Sequence, residues 1–116
     1  MIARIESALA EAAVSGTVVV ADAGVPVAPI IAALRRSGAE FALLVVDAPV
    51  PALDRALLLA AIGPLAVELA PRTRIGAIDI APGAALSDVA AAAAFLAGAR
   101  STTGQVLKIE SPEPEL

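Results

Sequence analysis

Four short apolar runs recur along the chain, each separated from the next by a stretch long enough for a helix. The runs are TVVVA, FALLVV, RIGAIDIA and QVLKIE, at residues 17–21, 41–46, 74–81 and 105–110. Runs of this length and composition are typical of strands in a buried parallel sheet. Parallel neighbours need a crossover connection, which is usually a helix. The alternation therefore predicts an α/β fold.

The segments between the runs carry the residues that begin and end helices. Helices are predicted over about residues 3–14, 26–37, 53–70 and 88–96. Gly38 is expected to end the second helix, and Ser87 to N-cap the fourth, with Asp88 in its first turn. Pro64 falls inside the third, where proline removes a backbone donor and clashes with the preceding turn. A kink or two short helices are expected there.

A single small domain is the expected organisation. The chain has 116 residues, which suits one domain. We predict a Rossmann- or flavodoxin-like three-layer fold with a four-stranded parallel sheet and an extra N-terminal helix. Right-handed crossovers in a doubly wound sheet favour the strand order 2-1-3-4. Residues 1–110 are expected to form the domain, and residues 111–116 an acidic flexible tail.

The composition removes several kinds of chemistry. The chain contains no His, Cys, Tyr or Trp. This excludes cysteine nucleophiles, disulfides, zinc sites built from thiolates or imidazoles, and the Ser-His-Asp triad. General acid or base catalysis by His or Tyr is excluded as well. We therefore predict neither a catalytic residue nor a metal site.

Charge and hydropathy limit the partners. The net charge is −4 and no basic patch occurs, so nucleic acid is not an expected partner. The longest uncharged runs, residues 23–34 and 56–67, are twelve residues each and too short to span a membrane. Arg4 and Glu6 argue against a signal peptide, so we expect a cytoplasmic protein. The seven Arg against one Lys, with abundant Ala, favour a bacterial source.

Three segments together resemble the short-chain dehydrogenase/reductase family, closest to its 3-oxoacyl reductase type. LAVELAPR and IDIAPG are similar to the family's active-site helix and the strand that ends in a Pro-Gly turn. LSDVA, FLA and TGQVL are similar to its closing helix and last strand, and LRRSGA to the end of its first helix. Family members are commonly twice as long. The resemblance thus implies a truncated member of the family.

The resemblance also shows which catalytic residues are missing. The family's Tyr-x-x-x-Lys pair falls on Pro51 and Arg55. In the family the Tyr donates a proton, and the Lys assists it and binds ribose. Pro51 can do neither, and Arg55 keeps only the charge. The segment with the catalytic Ser is absent. An enzyme acting alone is therefore disfavoured, although a complex with a full-length reductase would still be an NAD(P)-dependent oxidoreductase.

The cofactor loop departs from the family as well. The three glycines that approach the pyrophosphate in the family fall on Ala21, Val25 and Val27, and Gly24 lies one position out of register. We expect no cofactor, with NAD(P) as the alternative. The candidates for cofactor binding are Asp22, Gly24 and Asp47. Asp47 could meet a ribose hydroxyl or be a solvated loop residue. Asp22 and Gly24 could form a ligand turn or a plain turn.

Several other charged residues have two interpretations each. Along the third helix, a polar site or a solvated face could be formed by Asp54, Arg55, Glu68 and Arg72. Asp79 lies in an apolar strand and would need a partner if buried, for which Arg74 is a candidate; placement at a sheet edge or a strand end is the simpler interpretation. Lys108 is expected to protect an edge strand from pairing with another chain rather than to act as a catalytic amine.

The apolar surplus predicts contact with another chain. About 59% of the residues are hydrophobic, and so small a domain cannot bury them all. In the family, the closing helix and the active-site helix form subunit interfaces. The interface candidates are Ala90, Ala91, Ala94, Phe95, Leu58 and Ile62; for the closing helix, the other interpretation is burial within its own chain.

Two hypotheses of function follow from the sequence, and a third possibility is a relic without activity. In the first, a non-catalytic protein acts by association, as a homodimer or as a structural or regulatory subunit of a full-length reductase. In the second, Asp47, Gly24 and the Pro82–Gly83 turn still bind a nucleotide or an acyl thioester.

Overall fold

The structure is a computed structural model that describes residues 2–11 and 16–112. Four helices and four strands alternate along the described chain. In order they are α1 (Ile2–Glu11), β1 (Thr17–Ala21), α2 (Val27–Arg35), β2 (Phe41–Val46), α3 (Ala52–Leu69), β3 (Arg74–Ile80), α4 (Leu86–Gly98) and β4 (Gln105–Ile109). The strands form one sheet, and every pair in it is parallel. The predicted α/β fold with a four-stranded parallel sheet is confirmed.

The strand order is β1-β2-β3-β4, so the predicted order 2-1-3-4 is wrong. The burial of the strands explains the difference. All six residues of β2 are buried, whereas four of the five residues of β1 are half-buried. A strand without polar side chains is most stable where neighbours and helices cover it on all sides. β2 therefore lies inside the sheet, and β1 lies at its edge.

Helices cover both faces of the sheet. Leu44 and Val46 of β2 pack in one apolar cluster with α2 and α3, and Leu43 and Val45 pack in a second cluster with α1 and α4. This alternation follows from the period of two in a strand. Burying each of these side chains contributes about 2 kcal/mol to folding. The result is the predicted three-layer arrangement, with an additional helix before the first strand.

The crossovers do not all have the same hand. All three step in the same direction across the sheet, from β1 to β4. Crossovers of one hand would then place their helices on one face. α2 and α3 do share a face, but α4 lies on the opposite face. The crossover through α4 therefore has the opposite hand to the other two, and it places α4 where the second apolar face of the sheet needs cover.

α3 is one helix of 18 residues that includes Pro64, so of the two alternatives expected there, a kink or two short helices, the second is wrong. Pro64 is exposed, and the carbonyl one turn before it, at Ala60, belongs to an exposed residue as well. Water can serve this carbonyl, which reduces the cost of the missing N–H. Buried Ile62 and Leu65, on either side of the proline, hold both halves against the sheet.

No helix in the described part of the chain has both the length and the hydropathy to cross a membrane.

The helix ends differ in detail from the predicted ones. The N-cap of α4 is Ala85, without a side-chain cap hydrogen bond, so the assignment of Ser87 as the cap is wrong. The first helix is described only as far as Glu11, and its predicted end at residues 12–14 lies outside the described residues. Of the predicted tail, residues 113–116 lie outside them too. Ser111 lies close to Gly83, where an added Cβ would come within 3.3 Å of the Ser111 Oγ.

Candidate functional site

The carboxyl edge of the sheet brings three acidic residues close together. Ala21 pairs with Val46, so Asp22 and Asp47 follow the ends of neighbouring strands. Asp79 of β3 pairs directly with Val46. In open α/β sheets this edge is where ligands bind, so each acidic residue is a candidate contact.

Asp47 is not a solvated loop residue, because only 4% of it is exposed. Its Oδ1 accepts a hydrogen bond from the backbone N–H of Ala48 at 2.8 Å. Its backbone N–H donates to the carbonyl of Ala21 at 3.0 Å, which joins the loop to β1. Its Oδ2 is buried and has no hydrogen-bond partner. A buried carboxylate oxygen without a donor is costly, which makes Asp47 the least satisfied polar group of the edge.

Arg55 of α3 contacts both Asp79 and the backbone of the loop that contains Asp47. Its Nη1 donates to Asp79 Oδ1, and the side chains of this ion pair are 20% and 14% exposed. Its Nη2 donates to the carbonyls of Asp47 and Ala48, at 2.7 and 3.0 Å. One guanidinium therefore fastens the loop after β2 to the third strand. Because its guanidinium is engaged in these contacts, Arg55 holds the carboxyl edge of the sheet together.

Arg74 is not the partner of Asp79, so that expectation is wrong. Arg74 lies at the opposite end of β3 and donates to three carbonyls at the end of α4, of Leu96, Ala97 and Ala99. Its guanidinium also lies over the ring of Phe41, 4.9 Å from the centroid. Positive charge and donors at a helix C-terminus are favourable. Arg74 and the end of α4 are distant in sequence, so no local sequence pattern predicts this contact.

The Asp22–Gly24 segment is a turn whose polar groups satisfy one another. Asp22 Oδ1 accepts from the backbone N–H of Ala23 at 2.8 Å, and the N–H of Val25 donates to the Asp22 carbonyl at 3.3 Å. Gly24 has φ +85° and an open surrounding, with no atom within 4 Å of an added Cβ. The turn by itself therefore accounts for both residues: Asp22 stabilises it by hydrogen bonds, and Gly24 adopts the left-handed conformation that it requires.

The start of α2 offers little to a phosphate group. Its N-cap is Pro26, and no side chain caps it by a hydrogen bond. Pro29 follows in the first turn. Anion sites at helix N-termini depend on free backbone N–H groups, and proline has none. The geometry therefore agrees poorly with a bound pyrophosphate.

A cavity of about 130 Å³ lies beside Asp47. Its walls come from α1, from the ends of β2 and β3, and from the start of α4. The lining residues are Arg4, Ile5, Asp47, Ala48, Ile80, Ala81, Gly83, Ala84, Leu86 and Val89. Sites for drug-sized ligands measure roughly 300–1,000 Å³, so this cavity cannot enclose a dinucleotide. The sequence gave no signal for the contribution of Arg4 and Ile5, because α1 reaches the site only through tertiary packing.

The charged residues of α3 do not form a common site. Arg55 contacts Asp79, whereas Glu68 pairs with Arg35 of α2, with 2.5 Å between Glu68 Oε2 and Arg35 Nε. The hydrogen bond that Arg35 donates to Glu68, together with the negative charge of Glu68, raises the pKa of Arg35. Arg72 is exposed, as the solvated-face interpretation predicts. In the described part of the chain, no group of three acidic residues lies close enough to hold a metal ion.

The interface candidates differ in how far they are exposed in the structure. Leu58 and Ile62 belong to the core, so they are wrong as interface residues. Phe95 of α4 is 63% exposed, with Ala91 and Ala94 exposed beside it and Ala90 half-buried. Sequence reasoning missed the exposed large apolar residues of α3, which are Leu53, Leu57 and Val67. These residues lie on the other side of α3 from Leu58 and Ile62, and because both sides of the helix are apolar, its sequence gives no hydrophobic direction.

Parallel strands between two helical layers, with polar loops gathered at one edge, define a Rossmann-like α/β domain. Within this class, a family model described as short chain dehydrogenase-like protein matches residues 10–109. The chain therefore belongs to this short-chain dehydrogenase-like family. No curated protein and no solved structure matches it significantly.

Proposed function

We propose that this chain is a non-catalytic member of its family that acts by association with another chain. The partner is a second copy of itself or a full-length reductase, for which it serves as a structural or regulatory subunit. The observation that carries the proposal is the exposed, uncharged face of α3.

This face forms a continuous apolar stripe along the helix. Its exposed residues recur every three or four positions and therefore lie on one side. We call it the α3 stripe; it consists of Leu53, Ala56, Leu57, Ala60, Gly63, Pro64 and Val67. Val67 is 81% exposed, more than any other large apolar side chain of the described residues. An apolar patch of this kind on a small domain is typical of an interaction site, and its small residues allow a second helix to approach closely.

The proposal of a non-catalytic role rests on the residues at the carboxyl edge. The chain has no Tyr or His to transfer a proton, and Arg55 is engaged by Asp79 and two carbonyls. We infer that no dinucleotide is bound, because the cavity is small and prolines occupy the start of α2. A nucleotide or acyl thioester held by Asp47, Gly24 and the Pro82–Gly83 turn fits this geometry poorly for the same reason.

α4 presents a second, smaller apolar face around Phe95. It lies on the opposite side of the sheet from the α3 stripe. A two-fold dimer through α3 would leave this face free for a different subunit. The two faces therefore allow self-association and binding to a reductase to coexist.

The oligomeric state tests the self-association form of the proposal. Sedimentation velocity is measured from about 1 to 200 µM. Interference optics are needed, since the chain lacks Trp and Tyr. The wild type is expected to sediment as a dimer at the upper concentrations. A Leu57→Glu/Val67→Glu variant is expected to remain monomeric and folded, because both side chains are exposed.

Phe95→Glu is the matched control on the other face. It is expected to leave the α3 dimer intact. Loss of the dimer in this variant but not in the α3 variant would move the interface to α4. A monomer at every concentration would leave only the heteromeric form. That form is tested by native mass spectrometry of the chain isolated from its host, where a stoichiometric complex with a full-length dehydrogenase is expected.

A further inference from the structure

The cavity beside Asp47 combines one buried acidic group with apolar walls. Ile5, Ile80 and Val89 are buried, and Leu86 is half-buried against the same cluster. Asp47 lines the cavity, and its Oδ2 has no donor. A buried carboxylate oxygen is satisfied by a hydrogen-bond donor, and most strongly by a cationic one.

Arg4 supplies the opposite charge to the same cavity. Its side chain is exposed, and it forms no ion pair with any of the described residues. Among the residues that the structure describes, Asp47 and Arg4 are the only charged ones that line the cavity. A simple cation would face the repulsion of Arg4, and a simple anion that of Asp47. A metal ion would find only one carboxylate here, fewer ligands than Ca²⁺ or Mg²⁺ requires.

We propose that this cavity binds a small zwitterion, an amino carboxylate of about six to eight non-hydrogen atoms. Its ammonium group donates to Asp47 Oδ2, its carboxylate meets the guanidinium of Arg4, and its methylenes lie against Ile80 and Val89. The volume of about 130 Å³ limits the enclosed part of the ligand to about six non-hydrogen atoms, since a cavity of about 150 Å³ holds benzene. The carboxylate of the ligand meets Arg4, whose side chain is exposed. The proposal goes beyond the association role and does not depend on it.

Binding requires a small movement of Asp47. Its Oδ2 is covered in the structure, so the carboxylate must turn about its Cβ–Cγ bond to meet the ligand. This torsion has a broad energy profile, so the turn itself costs little. It alters the hydrogen bond between Asp47 Oδ1 and the N–H of Ala48. The amide signal of Ala48 is therefore a direct reporter of the site.

The test is an NMR titration of the full ¹⁵N-labelled chain. The probes are 4-aminobutanoate, 5-aminopentanoate and L-valine, which separate the two charges by different distances. Butylamine and butanoate carry one charge each and serve as controls. At least one zwitterion is expected to shift the amides of Ala48 and Gly83 saturably, with about tenfold higher affinity than either control.

Three variants identify the groups involved. Asp47→Asn replaces an acceptor with a donor and is expected to lower the affinity about tenfold or more. Arg4→Gln, at an exposed position that does not threaten folding, is expected to lower it several-fold. Arg36→Gln changes an exposed Arg that follows α2 and does not line the cavity. It is expected to leave the affinity unchanged.

Four results would each overturn the proposal. They are no saturable shift with any zwitterion, equal binding of butylamine, unchanged affinity in Arg4→Gln, and retained binding in a folded Asp47→Asn variant. None of these results bears on the sedimentation of the wild type, so the failure of this proposal is distinguishable from the failure of the association role.

Discussion

Arg55 is the side chain on which the polar contacts of the carboxyl edge converge. The resemblance to the family placed it where a catalytic Lys is expected. In the structure the same position supports the loop after β2 and the half-buried Asp79. A planar guanidinium can serve a carboxylate and two carbonyls together, which an ammonium group cannot do as well. The positive charge at this position thus has a structural role in the chain.

Arg55→Met is expected to destabilise the chain by about 2 kcal/mol, because it leaves the half-buried carboxylate of Asp79, 14% exposed, without a partner. Urea unfolding followed by circular dichroism measures the change. Arg35→Met is the matched control, since the pair of Arg35 with Glu68 is exposed and contributes little. Arg55→Lys is expected to recover only part of the loss. Equal stability of the two Met variants would contradict the structural role of Arg55.

At the scale of the element, α3 shows how packing overrides local preference. Gly63 and Pro64 are both unfavourable inside a helix, and the sequence therefore predicted an interruption. The buried residues that flank them face the sheet and bind both halves of the helix to it. The exposed side of α3 is apolar as well as the side that faces the sheet. The sequence alone therefore does not show which of its residues are in the core. Leu58 was expected at an interface and is in the core, whereas Leu57 is exposed.

Pro64→Ala is expected to stabilise the chain by about 2 kcal/mol, because it restores a donor for the carbonyl of Ala60 and removes a clash. Chemical denaturation measures the gain. Pro29→Ala is the control: Pro29 lies in the first turn of α2, where a proline is tolerated, so little change is expected. A gain no larger than that of the control would mean that α3 has adapted to the proline without cost.

At the scale of the molecule, the sheet leaves two apolar helix faces on opposite sides. The α3 stripe and the face around Phe95 cannot cover each other, because the sheet lies between them. A domain of this size gains much of its stability from whatever covers such faces. Association and folding are therefore coupled in this chain if the proposed dimer forms.

The midpoint of thermal unfolding is accordingly expected to rise by several degrees between about 5 and 500 µM chain. Circular dichroism in cells of different path length measures it without aromatic absorbance. The Leu57→Glu/Val67→Glu variant is expected to have a midpoint independent of concentration. A wild type that behaves in the same way would argue against a dimer coupled to folding.

The sequence by itself determined the elements and the chemistry that is excluded. The bounds of β1 and β2 follow directly from local apolar runs, and those of β3 and β4 differ by one residue from the predicted ones. The absence of His, Cys and Tyr is equally local information. The family resemblance also needs only the order of short segments along the chain, and the match over residues 10–109 confirms it.

Only the tertiary structure decided how these elements combine. The order of the strands, the opposite hand of the crossover through α4 and the pairing of Asp79 with Arg55 all join residues that are distant in sequence. The cavity beside Asp47 needs α1, β3 and α4 together. Local propensity carries no information about such contacts, because they are selected by the burial of whole faces and by the pairing of the polar groups that this burial removes from water.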